Sequence, residues 1–104
     1  NMLLGASGQN IYPEEIEDKL NSMALVNESI VIQDGDKLVA LVHPEYDEIQ
    51  SLNLDKDDII KIMEENLNKL NEELPTFSKI ASIRIHEEEF EKTPKKSIKR
   101  YLYH

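Results

Sequence analysis

The sequence predicts an α+β fold in which a small antiparallel sheet packs with two main helices and a short C-terminal helix. Segments 13–23 and 55–73 carry apolar residues at the three- and four-residue spacing of amphipathic helices. Segments 29–33 and 37–43 are β-branched or aliphatic runs, and 80–86 alternates as a half-buried strand does. These three central strands, with an N-terminal β-hairpin, would form the sheet.

The N-terminal hairpin is predicted from two short, partly apolar segments, 2–4 and 10–12, which flank a loop containing Gly5 and Gly8. Glycine permits positive φ, so a tight turn is expected between them. Pro13 then stands at a first helical position, and two acidic residues follow where the helix macrodipole favours negative charge. The first helix is therefore expected to begin at Pro13.

The next two strands are expected to pair antiparallel, because Asp34-Gly35-Asp36 between them is a strong hairpin signal. Segment 45–53 is polar and is predicted to be an irregular loop. The long helix should begin near Asp55 and end before Pro75, and 97–103 should form the short C-terminal helix. All 104 residues fit one domain, 1–104.

Composition and charge restrict the classes of function. The chain has 21 acidic and 12 basic residues and a formal net charge of −9, whereas binding along a nucleic acid needs a basic face, so no nucleic-acid partner is expected. No apolar run approaches the roughly 20 residues of a membrane span. The chain has no cysteine, which excludes disulfides and thiolate ligands and suits a reducing cytosol, so a cytoplasmic location is expected.

Familiar catalytic patterns are missing. The histidines His43, His86 and His104 are scattered and have no carboxylate partners at ligand spacing, so no metal site is predicted. A Gly-x-Ser-x-Gly nucleophile elbow does not occur, and Lys96-Ser97 has none of the glycines of a phosphate-binding loop. Runs of acidic residues are interpreted as solvated surface.

Two stretches carry more information than these patterns. The first is GASGQNIYPEEIE, residues 5–17, in which a glycine loop leads directly into a helix that starts with proline. The second is TPKKSIKR, residues 93–100, within a terminal segment that has five basic residues and no acidic one. A basic terminus of this kind is either merely solvated, or binds phosphate or an anionic membrane surface.

Together the two stretches resemble the C-terminal domain of adenylate-forming acyl-CoA synthetases, most closely the long-chain fatty acid–CoA ligases. The family's first motif is a glycine loop, Asn, an aliphatic residue, any residue, Pro and then Glu-Ile-Glu, and its second is Thr, two variable residues, Gly or Lys, the catalytic Lys, an aliphatic residue, any residue and Arg. The matching residues are Gly8, Asn10, Ile11, Pro13, Glu15, Ile16 and Glu17 in the first motif and Thr93, Lys96, Ile98 and Arg100 in the second. The resemblance covers essentially the whole chain.

The resemblance implies a mobile lid that is inactive alone and follows a hinge and a large N-terminal AMP-binding domain of the same polypeptide. The family joins a fatty acid to ATP, releases pyrophosphate, and transfers the acyl group to coenzyme A, with Mg²⁺ expected in the large domain. The resemblance assigns Gly8, Gln9 and Asn10 to the coenzyme A step and Arg100 to the nucleotide. A cation between the reacting carboxylate and phosphate would stabilise charge in the adenylation step.

One position departs from the family pattern. The catalytic lysine of the second motif falls on Ser97, and a serine hydroxyl carries no positive charge. Three explanations are open: a natural variant with weakened adenylation, a one-residue shift that makes Lys96 the working residue, or an altered sequence.

A second hypothesis is an acidic interaction module whose basic, aromatic-flanked tail binds anionic lipid, at the inner face of the membrane, or a partner protein. That tail would consist of Lys99, Arg100, Tyr101 and Tyr103. A self-sufficient small enzyme is the least supported hypothesis, because no paired catalytic groups occur in the sequence.

Overall fold

A computed structural model describes residues 1–103 and shows the α+β class that the sequence predicts. The strands in these residues are β1 Leu3–Leu4, β2 Asn10–Ile11, β3 Val26–Asp34, β4 Lys37–Pro44 and β5 Ser82–Ile85. The α-helices are α1 Pro13–Asn21, α2 Tyr46–Ser51 and α3 Lys56–Glu73, and single 3₁₀ turns occur at Thr76–Ser78 and Arg100–Leu102. His104, one of the three histidines considered above, lies outside the described residues.

The strands form two sheets. β1 and β2 make a separate antiparallel hairpin, and the central sheet has the order β3-β4-β5. β3 and β4 are antiparallel, but β5 runs parallel to β4, so the antiparallel expectation holds for the first central pair and does not extend to the third strand. The physical reason is the connection from β4 to β5, since a long crossover that contains helices joins parallel strands.

The hydrophobic core lies between the central sheet and the helices. Residues of β3 and β4 that face the helices contribute to it, as do the inner faces of α1 and α3 and the buried end of β2. The core cluster comprises Ile11, Ile16, Leu20, Leu25, Val26, Val31, Leu38, Ala40, Val42, Ile49, Met63, Leu70 and Ile80. Leu20 and Leu70 are completely buried, which fixes both long helices against the sheet.

The long helices begin and end at the signals that the sequence carries. Pro13 occupies the first turn of α1. Asp55 caps α3 in a reciprocal capping box with Asp58: each aspartate side chain accepts from the other residue's backbone N–H, at 2.8 and 3.0 Å. Near the other end of α3, Asn71 accepts from the Ile80 N–H at 2.8 Å and donates to the Ile80 carbonyl at 2.9 Å. This pair of bonds attaches the helix to the segment that enters β5.

Two local expectations differ from the structure. Segment 45–53, predicted to be an irregular loop, contains the six-residue helix α2, which buries only Ile49. The predicted C-terminal helix over 97–103 is a single 3₁₀ turn, because the segment before it is committed to a bridge between Lys92 and Ile98. Across residues 1–103 no helix combines the length and the hydropathy needed to cross a membrane.

Candidate functional site

The glycine-rich motif forms a tight turn between β1 and β2. The Gly5 N–H donates to the Gln9 carbonyl at 2.8 Å, and the Gly8 N–H donates to the Gly5 carbonyl at 2.9 Å. Gly8 has a φ of +88°, and apart from Gly8 and its two chain neighbours no residue has an atom within 4 Å of the position that a β-carbon would take. Glycine is therefore favoured here by the backbone conformation and not by a crowded neighbour. Gln9 and Asn10, which follow it, are exposed.

The second motif forms a turn with the same hydrogen-bond pattern. The Thr93 N–H donates to the Ser97 carbonyl at 2.8 Å, and the Lys96 N–H donates to the Thr93 carbonyl at 2.8 Å. The Thr93 hydroxyl oxygen also accepts from the Ser97 N–H at 3.3 Å. Lys96 has a φ of +67°, so it takes the left-handed position that Gly8 takes in the first turn. Both turns are of the hairpin type in which the last loop residue is left-handed.

This geometry bears on which residue takes the place of the family lysine. Lys96 occupies a position where the backbone conformation favours glycine. The family motif that this segment resembles has glycine or lysine at that position. Ser97 follows it and is exposed at the turn. The backbone is thus compatible with the register that aligns Ser97 with the catalytic lysine, and the roles of Ser97 and Lys96 stay predictions.

A buried ion pair joins the two motifs. Both Oε atoms of Glu17, at the end of the first motif, accept hydrogen bonds from the Arg100 guanidinium of the second, the Nη1–Oε2 distance being 2.7 Å. Oε2 also accepts from the backbone N–H of Val31 in β3 at 2.7 Å. Glu17 is only 6% exposed. The structure therefore places Arg100, predicted to contact a nucleotide, against the interior of the domain.

Burial and hydrogen bonding shift the pKa of each member of this pair in opposite directions. Burial raises the pKa of the Glu17 carboxyl, and the bonds from Arg100 and Val31 only partly offset that effect. For Arg100, burial lowers the pKa, but the hydrogen bond and charge of Glu17 outweigh it, so the pKa is raised and the guanidinium stays charged.

The basic terminal segment is folded against the domain. Lys92 forms an ion pair with Glu28 of β3 at 2.8 Å. The Tyr103 hydroxyl accepts from the Glu91 N–H at 2.7 Å, and its ring packs edge-on against Phe90 and His86. Such a segment is not a merely solvated terminus. The docking-tail hypothesis is not favoured, because Arg100 and Tyr103 are occupied by contacts within the domain.

The two turns lie at opposite ends of β3. The first is tied near the end of the strand, where the Gln33 side-chain amide donates to the Leu4 carbonyl at 2.6 Å. The second is tied near the start of the strand through Glu28. Glu28 and Gln33 are five residue steps apart along the extended strand, which corresponds to about 17 Å. Each turn borders its own cleft, of about 550 Å³ at the glycine turn and about 420 Å³ at the Ser97 turn.

The cleft beside Ser97 contains groups that the sequence did not single out. Its walls include Glu14, Asp18 and Asn21 of α1, together with Glu28. In the sequence Glu17 had appeared only as a motif match. The signal for a further role was that this acidic residue, next to Ile16, lies on the buried face of α1. Among residues 1–103, no three histidine or acidic side chains lie close enough together to hold a metal ion.

Comparison with known protein families gives a match over nearly the whole chain. The model of the family described as the AMP-binding enzyme C-terminal domain matches residues 1–103. No curated protein sequence matches the chain.

Solved structures share the fold. The adenylation domain of a carboxylate reductase from Mycobacterium chelonae is 16% identical with a TM-score of 0.82, and the match covers 98% of this chain and 17% of that one. A fatty acyl CoA synthetase from Mycobacterium tuberculosis is 21% identical with a TM-score of 0.63, covering 97% of this chain and 18% of that one. For the Brucella canis acyl-CoA synthetase the values are 24% and 0.68, with 92% and 17% covered.

The chain thus spans less than a fifth of the length of these structures. At such identities the likeness establishes the fold, whereas the family match extends over nearly every residue. The chain belongs to the family of C-terminal domains of AMP-binding enzymes.

Proposed function

We propose that this domain is the mobile lid of an ATP-dependent ligase that activates long-chain fatty acids as acyl adenylates and then transfers them to coenzyme A. The observation that carries the proposal is the placement of the two motif turns at opposite ends of β3, each beside its own cleft. One rigid domain can then place a different turn at the substrates in each of the two reaction steps. A large AMP-binding domain of the same polypeptide is the proposed partner, and it would hold ATP and Mg²⁺.

In the proposed adenylation step, the Ser97 turn faces the α-phosphate of ATP and the fatty acid carboxylate. Both groups are negatively charged, so a cation near them would lower the barrier. Ser97 offers only a hydroxyl hydrogen-bond donor, and Lys96 is the adjacent positive charge on a cleft whose walls also carry acidic side chains. We expect adenylation to be slow with Ser97 and to depend on Lys96 for the positive charge that remains.

In the proposed thioester step, the hairpin that contains Gly8, Gln9 and Asn10 faces coenzyme A. Gly8 has open space around it, so its backbone can line a narrow channel without a side chain intruding. The full protein would act in the cytoplasm, at the inner face of the membrane where long-chain fatty acids partition. The similarity of the two motifs to long-chain ligases supports this substrate class.

The test uses the full polypeptide that contains this domain. Pyrophosphate release and acyl-CoA formation are measured with ATP, coenzyme A and carboxylic acids from two to eighteen carbons. We expect acyl-CoA formation with the longer acids. Ser97→Lys should raise the rate of pyrophosphate release by roughly 10²- to 10³-fold, the size of one charge-assisted transition-state contact.

Two controls define the result. Lys96→Ala should lower the remaining adenylation in the Ser97 protein, whereas Lys69→Ala, a change of an exposed lysine on α3, should not. A full polypeptide that forms acyl-CoA only from short acids would overturn the long-chain assignment. Absence of both pyrophosphate release and acyl-CoA formation, in the Ser97 and Ser97→Lys proteins alike, would overturn the proposed function.

A further inference from the structure

The buried Glu17 carboxylate has an unusual set of partners. β3 is an edge strand of the central sheet, with β4 on one side, and α1 packs against it. There the Val31 N–H has no strand partner, and Glu17 Oε2 accepts from it at 2.7 Å. The same carboxylate receives two bonds from Arg100, so it holds three donors from two other segments. A carboxylate this buried is stable only when such partners are in place.

Arg100 connects this anchor to the Ser97 turn through a short stretch of chain. It lies three residues after Ser97, and the intervening Ile98 is bridged to Lys92. The Lys99 N–H donates to the Glu91 carbonyl at 2.8 Å. Movement of the guanidinium would therefore be transmitted to the arm of the turn that follows Ser97.

The other arm of the turn is attached through the Lys92 ammonium, which contacts the two Oε atoms of Glu28 at 2.8 and 3.0 Å and donates to the Phe90 carbonyl at 3.3 Å. Lys92 pairs with Glu28, and these side chains are 28% and 23% exposed. By contrast, the side chain of Glu17 is 8% exposed and that of Arg100 22%. A planar guanidinium fork restricts orientation more than an ammonium group does, because an ammonium is a point charge at the end of a flexible stem. The attachment of the arm after Ser97 is thus the more buried and the more directional of the two.

We infer that Glu17 is a positioning residue for the adenylation step: through Arg100 it sets the place of the Ser97 turn without touching substrate. This inference rests on the proposed function for its consequence in catalysis. The geometric part, that Glu17 fixes the turn, can be tested on the 104-residue chain, which has its own hydrophobic core.

The first experiment measures amide hydrogen exchange by NMR in the 104-residue chain. In Glu17→Gln, which keeps the shape of the side chain and removes its charge, the amides of Thr93, Lys96 and Lys99 should exchange at least about tenfold faster. Amides within the β3–β4 ladder should be unchanged. Unchanged protection of the turn amides would overturn the inference.

The second experiment compares two half-reactions in the full polypeptide, with and without Ser97→Lys. Glu17→Gln should slow pyrophosphate release by roughly 10- to 100-fold, as expected when a reacting group is misplaced by about 1 Å. Thioester formation from supplied acyl adenylate should change less than about twofold. An equal loss in both half-reactions, which a purely structural role would cause, would contradict the inference.

Matched variants cover the remaining outcomes. Glu73→Gln removes the exposed partner of Lys19 and should leave both half-reactions unchanged. If Glu17→Gln does not fold, Arg100→Lys takes its place, because it keeps the charge and loses the two-bond fork. Arg100→Lys should show the same selective loss of adenylation. Wild-type rates in this variant would refute the inference. A full polypeptide inactive in both half-reactions would remove the proposed function, while the exchange experiment would still decide whether Glu17 fixes the turn.

Discussion

The two turn residues with left-handed backbone should respond in opposite ways to substitution. Removing glycine from the first turn should lower stability, and introducing glycine into the second should raise it. Gly8 has a φ of +88° and Lys96 a φ of +67°. A residue with a β-carbon pays about 1–2 kcal/mol in this conformation. Gly8→Ala should incur that cost, and it recovers about 0.4–1 kcal/mol because alanine restricts the unfolded chain. Since no residue beyond the two chain neighbours has an atom within 4 Å of the new methyl group, packing adds nothing, and the net loss should be about 1 kcal/mol.

Lys96→Gly reverses these contributions. Relief of the left-handed conformation should gain about 1–2 kcal/mol, and the added freedom of the unfolded chain should remove about 0.5–1 kcal/mol. We expect a net change between about zero and 1.5 kcal/mol in favour of the folded state. The two variants should therefore differ in sign, or by at least about 1 kcal/mol.

The assay is urea unfolding followed by circular dichroism, with thermal unfolding as a second measurement. A change of 1 kcal/mol should shift the midpoint temperature by roughly 4–8 °C in a domain of this size. Ala6→Gly, at an exposed position of the first turn, calibrates the entropy of an added glycine. A destabilised Lys96→Gly together with an unaffected Gly8→Ala would refute the argument.

Three further predictions concern stability. Asn71→Ala should cost about 1.5 kcal/mol in urea unfolding, because it removes both bonds to Ile80 at about 1 kcal/mol each and gains up to about 0.7 kcal/mol in helix propensity; the exposed Asn68→Ala on the same helix should show only the gain. Asp55→Ala should lower the free energy of unfolding by about 1 kcal/mol through loss of the α3 cap, and an unchanged value would contradict the capping role. Burial raises the pKa of Glu17 above its ordinary value of 4.5, so the folded state retains its proton longer than the unfolded state. The stability of the wild type relative to Glu17→Gln should therefore fall as pH rises from about 4.5 through the raised pKa, and a relative stability that increases over this range would show that the pKa is lowered.

The fold was largely predictable because its strongest determinants are local. Apolar spacing and end signals located α1 and α3, and Gly35 with its two aspartates located the hairpin between β3 and β4. The helix α2 was missed because it is short, has no side-chain N-cap bond and buries only Ile49. The direction of β5 depends on a crossover, which local periodicity does not encode.

The candidate site was predictable as two motifs and not as one arrangement. The sequence located Gly8 in a turn but placed Ser97 at the start of a helix, and the contact between Glu17 and Arg100 joins residues 83 positions apart. Only the tertiary structure shows that Arg100 faces a buried carboxylate. The left-handed conformation of Lys96 was hidden as well, because lysine gives no local signal for it.

The hydrogen bond that Glu17 accepts from the outer edge of β3 has a consequence for the behaviour of the chain in concentrated solution. An uncovered strand edge is a template on which another molecule can add a strand. Glu17 occupies the Val31 N–H on one edge of the central sheet, and on the other edge β5 is only four residues long and carries Arg84. Loss of this side-chain acceptor, which Glu17→Gln would keep, would open the longer edge at Val31, and such molecules should then join edge to edge and aggregate during expression.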